Sequence, residues 1–198
     1  MINSLQYSPS FQKKLVAKVN LPTQSGVENC SIYELDDAKK DARRLKKQIK
    51  KQDWQYKEEF LEPLKDKDNP MVKMLKIKLF SLEDEQKNCL GLLRTYNFAE
   101  IQNVDYIEVN PEYKSSNKDA KIKKIGSAML SFFLKSNKNC DFIVLHPVTS
   151  AYGFYDKFGF DRQTSYQEGD KYYLPEEKVA QTIANNEQKI GSKVEILG

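Results

Sequence analysis

The stretch KIKKIGSAML at residues 121–130 decides the fold of the chain around it. A helix is predicted to begin near Gly126, because the apolar residues that follow recur at helical spacing. The first turn of a helix presents backbone N–H groups without intrahelical partners, and the helix dipole makes that end partly positive, so it suits a phosphate group. The apolar face comprises Ile125, Met129, Phe132 and Phe133, and the lysines that add charge at the same end are Lys121, Lys123 and Lys124.

Two strand-like runs flank this stretch. Residues 104–109, VDYIEV, end at Asn110-Pro111, where the proline has no N–H for a strand ladder. Residues 141–145, DFIVL, form a short apolar run typical of a buried strand. The lysine-rich turn alone would also fit an ordinary surface helix, but strand, turn, helix and strand together predict a β-α-β unit. Such units bind ligands at the carboxyl ends of their strands.

A second helical segment at residues 149–158 is predicted to end at Gly159 in a left-handed cap. Residues 151–160 read AYGFYDKFGF. This stretch resembles the GNAT superfamily of N-acetyltransferases, which carry a helix of the pattern Ala-x-x-Phe-Tyr-x-Lys-x-Gly-Phe. Their pyrophosphate loop follows the pattern Gln/Arg-x-x-Gly-x-Gly/Ala, and KIKKIG at residues 121–126 is similar to it in part. The resemblance covers about residues 72–174.

The resemblance implies a fold and a co-substrate. The expected fold class is α/β (α+β), a mixed, mostly antiparallel twisted sheet flanked by helices, with a central β-α-β unit for acetyl-coenzyme A. A backbone N–H at or next to Val109 would stabilise the tetrahedral oxyanion, and Thr149 or Ser150 would contact the pantetheine arm or cap the second helix. The residues expected to bind acetyl-coenzyme A are Val109, Lys121, Lys123, Lys124, Ile125, Gly126, Ser127 and Ser150.

The loop departs from the family pattern at two positions. Lys121 stands where the family prefers Gln or Arg, and Lys124 replaces the first glycine, whose role is to let the backbone approach phosphate with unrestricted dihedrals. Residues 115–120 also lengthen the connection before the loop. Tight binding of coenzyme A is therefore less firmly implied than the fold.

Two side chains are candidates for the chemistry. An amine must lose its proton before it attacks a thioester. Tyr106, Glu108 and Asn110 share one face of their strand by the period-two rule. The resemblance implies that the substrate-facing side of this strand holds the base, usually acting through water, so Glu108 is the predicted base. Glu112 is a weaker candidate, since it lies in a loop. Tyr155 occupies the tyrosine position of the family helix and is the predicted hydrogen-bond donor to the thiolate leaving group.

Both candidates have structural alternatives. Glu108 would equally fit a solvated or salt-bridged strand position, and Tyr155 would fit a core tyrosine. Tyr152 is the alternate donor. The only histidine, His146, lies beside a proline at a strand end and is assigned a structural rather than a catalytic role.

The first 65 residues are predicted to hold a strand and a basic helical region. Residues 11–19 alternate as a strand, and residues 21–26 break it. Residues 36–61 place apolar side chains on one stripe, which predicts one long helix or two broken ones, with Asp36 and Asp37 at the N-terminus. The opposite face is basic, and it is either a solvated surface or a binding surface for nucleic acid or an acidic partner. Its residues are Lys39, Lys40, Arg43, Arg44, Lys46, Lys47, Lys50 and Lys51.

The remaining segments complete a sheet. Residues 63–70 are predicted to form a loop, and residues 72–82 and 89–98 a hairpin that continues through 104–109 as an antiparallel meander. Residues 160–163 and 171–174 are predicted to form a final hairpin, followed by a helix from Pro175 to about residue 188 and a short strand at 193–197. We expect one domain over residues 1–198, with the basic region in residues 1–65 and a helical tail in residues 175–198.

Composition limits the class of protein. The chain has 198 residues and a net charge of +4, which suits one globular domain with a mild basic excess. Cys30, Cys89 and Cys140 are odd in number and without metal-ligand spacing, so we expect no metal and a reduced, cytoplasmic protein. No run approaches the ~20 apolar residues that span a bilayer.

The sequence therefore predicts an N-acetyltransferase that uses acetyl-coenzyme A and a small-molecule or protein amine, acting as a monomer or homodimer. Nucleic acid and membrane are not expected partners. The alternative is a catalytically weakened protein on the same fold that engages an acidic partner or nucleic acid through its basic helix.

Overall fold

The computed structural model describes residues 14–35, 39–50, 52–65, 69–98, 101–114, 116–165 and 169–197. Nine strands of these segments form one sheet. They are β1 (Lys14–Pro22), β2 (Val27–Glu34), β3 (Lys78–Glu83), β4 (Cys89–Phe98), β5 (Ile101–Val109), β6 (Phe142–Leu145), β7 (Asp161–Ser165), β8 (Gly169–Pro175) and β9 (Glu195–Ile196). Their order across the sheet is β7-β8-β6-β5-β4-β3-β2-β1-β9.

Helices cover both faces of the sheet. They are α1 (Lys39–Lys50), α2 (Lys57–Lys65), α3 (Pro70–Met74), α4 (Ile125–Ser136), α5 (Tyr152–Asp156) and α6 (Glu176–Ile190), with 3-10 turns at Pro111–Tyr113 and Thr149–Ala151. Leu92 and Leu93 of β4 point to opposite faces and belong to two separate cores. The larger core lies under α4, α5 and α6, and the smaller core lies under α1 and α2.

The central prediction of a β-α-β unit is confirmed. Strands β3, β4 and β5 form the antiparallel meander, and β5 pairs in parallel with β6 across the α4 crossover. The apolar face of α4 is buried, as its spacing predicts, at Ile125, Met129, Phe132 and Phe133. Gly159 has φ +80, so the predicted left-handed cap after α5 is also confirmed.

The segments before and after this unit form the predicted helices and strands, but several of them begin or end at other residues than predicted. The basic region forms two helices, α1 and α2, and its apolar side chains Leu45, Ile49 and Phe60 are buried. The final hairpin is β7 with β8, the tail helix is α6, and the last short strand is β9, which pairs with β1. The start of the first predicted strand, the predicted helix start at Asp36 and Asp37, and the basic residue Lys51 lie outside the described residues.

Three predicted boundaries were wrong. Residues 72–77 are not a strand, because Asn69 caps α3 by accepting the N–H of Met71 at 2.9 Å, and β3 begins only at Lys78. Residues 63–65 are not a loop, because α2 continues through Pro63 to Lys65. The first strand continues to Pro22, and the turn after it leads into β2, a strand that the sequence did not predict.

Candidate active site

A gap lies between β5 and β6 beyond the end of their short ladder. The two strands are joined by three residue pairs, of which Val104↔Leu145 is the last. β6 ends there, whereas β5 continues to Val109. Along this extension β5 pairs with β4 on one edge, and no described strand pairs with its other edge. The edge of β5 over residues 105–109 therefore faces a gap and runs for about 13 Å at the usual rise of a strand.

An irregularity in β5 marks the point where the gap opens. Arg94 of β4 pairs with Tyr106, and Thr95 pairs with Val104, so the register of β4 skips Asp105. Such a bulge bends the strand and increases its twist. The bulge lies directly after the last pair with β6, which gives the two strands a local cause for diverging.

The N-terminus of α4 lies at the far end of the gap. A Cβ at Gly126 would lie 3.6 Å from Val109 Cγ2 and 3.6 Å from the ring of Phe154 in α5. The first intrahelical bond of α4 runs from the N–H of Ala128 to the carbonyl of Lys124 at 2.9 Å. The N–H groups of the preceding turn, at residues 125–127, have no partner within the helix and can bind an anion.

Lys124 adopts a left-handed backbone conformation, which glycine adopts more easily than any other residue. Its φ is +64 and its ψ is +18, in the left-handed region, and its side chain is exposed. A residue with a Cβ is strained there, but the backbone turn into α4 is kept. Lys121 is also exposed, so both lysines can contribute charge at this helix end.

The loop before α4 is attached to the β1–β2 hairpin. Ile122 forms a bridge with Thr23, and the N–H of Lys123 donates to the carbonyl of Pro22 at 3.0 Å. The ammonium of Lys123 donates to the carbonyl of Asn117 at 3.2 Å. Lys123 is therefore only partly exposed, and its hydrogen bonds stabilise the loop.

Gly91 of β4, which was not among the predicted site residues, determines how closely α4 approaches the sheet. A Cβ at Gly91 would lie 2.8 Å from both Ile125 Cγ2 and Met129 Sδ. These are distances that real Cβ atoms do not reach, so any larger residue would push α4 away. An isolated glycine within a strand was the available signal, since it indicates close approach of another element.

Tyr155 lies in the core beside the gap. Its side chain is 7% exposed, and its ring contacts Phe154, Phe160 and Tyr172 at centroid distances of 5.0, 5.9 and 6.1 Å. Burial raises the pKa of the Tyr155 hydroxyl, because the charged form is poorly solvated there. The hydroxyl therefore stays protonated and able to donate. Its role towards the leaving group stays a prediction.

The alternate tyrosine is already engaged. The hydroxyl of Tyr152 donates to Asp170 of β8 at 2.5 Å, and the guanidinium of Arg162 lies 4.3 Å from the centre of its ring. These bonds tie α5 to the β7–β8 hairpin. Ser150 is exposed in the 3-10 turn before α5.

Glu108 is buried and bound to the connection between α1 and α2. Its carboxylate accepts the backbone N–H of Gln55 at 2.6 Å and that of Tyr56 at 2.9 Å, directly before α2 begins. The ammonium of Lys114 lies 4.0 Å away. To act as a base, Glu108 must release at least one of these amides, and that role stays a prediction. Glu112 is exposed on the 3-10 turn after β5.

A charged cluster that the sequence did not predict lies where the gap opens. The guanidinium of Arg94 donates to Asp105 at 2.5 Å and to the carbonyl of Glu59 in α2, and it stacks 4.8 Å from the Tyr106 ring centre. Burial raises the pKa of Asp105, while Arg94 and His146 act in the opposite direction. Only the bulge places Asp105 here, and no local pattern predicts a bulge.

The basic face of α1 is partly used inside the molecule. Arg44 binds the buried carboxylate of Glu83 at 3.1 Å and the carbonyl of Lys87 at 3.0 Å. Arg43, Lys46 and Lys47 are exposed. Within the segments that the structure describes, no cluster of His, Cys, Asp or Glu could hold a metal, and no helix is long and apolar enough to cross a membrane.

Solved structures that are similar to this chain include acetyltransferases. A GNAT-family acetyltransferase from Staphylococcus aureus Mu50 matches with a TM-score of 0.51 and 17% identity, over 73% of this chain and 99% of that one. Mutant forms of the spermidine/spermine N-acetyltransferase SpeG from Vibrio cholerae match with a TM-score of 0.54 and 17% identity, over 77% of this chain and 98% of theirs.

A chimera of SpeG and hSSAT matches with a TM-score of 0.55 and 18% identity, over 77% of this chain and 98% of its own. No protein-family model matches the sequence, and no curated protein matches it. At these identities the structural likeness shows the fold, a mostly antiparallel mixed sheet flanked by helices of the GNAT type. The predicted fold class is therefore confirmed.

Proposed function

We propose that the protein is an N-acetyltransferase that transfers an acetyl group from acetyl-coenzyme A to a primary amine by direct attack. The observation that carries the proposal is the open edge of β5 at residues 105–109, which ends beside the N-terminus of α4. An extended ligand with amide groups along its length and a diphosphate at one end fits that combination.

The residues around the gap suit such a ligand. The amides of Ile125, Gly126 and Ser127 are oriented to bind a diphosphate, and exposed Lys121 and Lys124 lie at the same helix end. Peptide groups of β5, up to its last residue, can pair with the amides of the pantetheine arm. Acetyl-coenzyme A would supply the activated acetyl group as a thioester.

The reaction needs a proton acceptor and a proton donor. A lysine-like amine of pKa ~10.4 is mostly protonated at pH 7, so loss of its proton must accompany attack. A backbone N–H on the open edge of β5 would stabilise the oxyanion. Tyr155 would donate to the thiolate, and its raised pKa keeps the donor form. Glu108 is the base predicted from the sequence, although two backbone amides already occupy its carboxylate.

The binding-protein alternative receives less support from the site. Lys124 keeps the backbone turn that a glycine would make, so the loop still leads into the N-terminus of α4. On α1, Arg44 is bound within the protein, which reduces the basic face available to an acidic partner. The exposed cations Arg43, Lys46 and Lys47 remain for that alternative.

Thermal unfolding with and without acetyl-coenzyme A tests the proposal. A ligand at 100 times its dissociation constant adds about 2.7 kcal/mol to the free energy of unfolding. The turnover assay should follow thiol release with spermidine, L-lysine and a lysine-containing peptide, since the Vibrio cholerae protein of the same fold is a spermidine/spermine N-acetyltransferase. Stabilisation without thiol release from any amine would favour a binding protein, and absence of stabilisation would contradict the proposal.

A further inference from the structure

The divergence of β5 and β6 places two titratable side chains at the closed end of the gap. Val104↔Leu145 is the last pair of the parallel ladder, and the next residues are Asp105 on β5 and His146 after β6. Both residues therefore directly follow the last pair, at the point where the two strands begin to diverge. His146 is exposed, and Pro147 after it cannot extend the ladder.

We propose that His146, supported by the carboxylate of Asp105, takes the proton from the acceptor amine. This inference rests on the proposed acetyl transfer and names the residues that carry its proton. His146 is the catalytic residue in this assignment, because it would touch the amine. Asp105 is a positioning residue that acts through the imidazole.

Asp105 is held in place by the elements around it. The guanidinium of Arg94 binds its carboxylate at 2.5 Å, and Arg94 is itself fixed by the carbonyl of Glu59 and by stacking on Tyr106. The Asp105 side chain is 22% exposed, so its charge is only partly screened by solvent.

The charges around Asp105 and His146 are consistent with this role. Burial raises the pKa of Asp105, and the charges of Arg94 and His146 act in the opposite direction, so an imidazolium and the carboxylate stabilise each other. Burial raises the pKa of the Tyr96 phenol on β4, the charge of Asp105 adds to this rise, and Lys171 of β8 acts against it. A proton that arrives at His146 is therefore stabilised by the carboxylate of Asp105.

Glu108 is less available for the same task. It lies three residues further along β5, about 10 Å from Asp105 along the strand, and both its oxygens accept backbone amides of the α1–α2 connection. Its side chain is 4% exposed, whereas that of His146 is open to solvent. An incoming amine can therefore reach the imidazole more readily than the carboxylate.

The proton balance of the reaction is complete with these groups. The ammonium of the acceptor gives one proton to neutral His146, and the neutral amine forms a bond to the thioester carbon. As the carbon–sulfur bond breaks, the Tyr155 hydroxyl donates a hydrogen bond to the thiolate. The second proton of the attacking nitrogen leaves as the amide forms and neutralises the thiolate, and His146 returns its proton to solvent.

Kinetics of His146→Asn test the assignment. We expect kcat/KM for spermidine, or for the panel amine with the highest rate, to fall about 100-fold near pH 7. The loss should narrow as pH rises and the amine deprotonates on its own. Added imidazole should restore part of the rate to His146→Gly, a rescue that a structural role does not produce. Val148→Ala, an exposed neighbour, is the matched control and should keep the wild-type profile.

The single histidine allows a second measurement that needs no acceptor. The imidazole resonance of His146 can be followed by NMR across pH, because no other histidine contributes. Asp105→Asn should move its titration midpoint to lower pH, and Glu108→Gln should leave it in place. An unchanged midpoint in Asp105→Asn would overturn the pairing.

Failure of this inference and failure of the proposed function are distinguishable. His146→Asn could keep kcat/KM within twofold of wild type while Glu108→Gln loses the low-pH limb of the pH profile of kcat/KM. In that case the base is Glu108, and the proposed acetyl transfer stands. If His146→Asn loses turnover but keeps the thermal shift with acetyl-coenzyme A, our assignment stands. A wild-type protein that acetylates no amine of the panel overturns both.

Discussion

The guanidinium of Arg94 donates to the carbonyl oxygen of Glu59, the helical carbonyl that Pro63 leaves without its usual partner. Proline has no N–H, so the bond that residue 63 would make to residue 59 is missing in α2. Arg94 replaces it from β4 and binds Asp105 with the same group. The interruption of a helix on one face of the sheet thus orients the carboxylate at the opening of the gap.

Replacing Arg94 with Ala should destabilise the protein by on the order of 3 kcal/mol, since it leaves a half-buried carboxylate and a helical carbonyl unpaired. In a Pro63→Ala background the cost should be smaller by about 1 kcal/mol, because an alanine at that position can supply the missing N–H. Urea unfolding of the four proteins measures this coupling. Equal costs in both backgrounds would mean that Pro63 and Arg94 are independent.

Glu108→Gln should cost about 1–3 kcal/mol of stability. A glutamine has one acceptor oxygen where the carboxylate has two, so one amide of Gln55 or Tyr56 loses its partner. The control is Glu112→Gln, which changes an exposed carboxylate on the turn after β5 and should stay within about 0.5 kcal/mol of wild type. Denaturant midpoints of the two variants provide the comparison, and similar midpoints would argue against the anchoring role.

Gly91→Ala should displace α4. Its new methyl group would meet Ile125 and Met129 at 2.8 Å, and overpacking of this kind costs about 1–3 kcal/mol. We also expect a smaller thermal shift with acetyl-coenzyme A, because the amides of the first turn move with the helix. Gly153→Ala is the control, since no atom lies within 4 Å of its Cβ position. A full ligand shift in Gly91→Ala would show that the helix tolerates the methyl group.

Lys124→Gly should stabilise the protein relative to Lys124→Ala by about 1 kcal/mol. Both variants lose the same charge, but only glycine removes the left-handed strain at φ +64. Thermal unfolding of the pair isolates the backbone contribution. If alanine were equally stable, the turn before α4 would not be strained.

Asp170 should make stability depend on pH in the acid range. Hydrogen bonds from Tyr152 and Arg162 lower the pKa of Asp170 to about 2, below its value in an unfolded chain. A lowered pKa means that this contribution is present above about pH 4 and is lost as pH falls towards 2. Tyr152→Phe removes the largest cause, so its stability deficit should shrink over that interval. A deficit that stays constant from about pH 5 to about pH 2 would contradict the assignment.

Much of the architecture could be predicted because its signals are local. The spacing of Ile125 and Met129 on α4 and the turn at Gly159 are properties of short segments, and the structure confirms them. The error at residues 72–77 has a local cause as well, since alternating lysines imitated a strand although Asn69 and Pro70 begin a helix there.

The sequence by itself determined the β-α-β unit, the helix that begins at its lysine-rich turn, and the tyrosine helix that follows, because periodicity and capping depend on neighbours in the chain. Only the tertiary structure decided that Asp105 bulges out of β5 at the level of His146, and that Glu108 anchors α2. These relationships depend on the register between strands distant in sequence and on which helix covers them. A single residue's shift in pairing changes which side chains face the site.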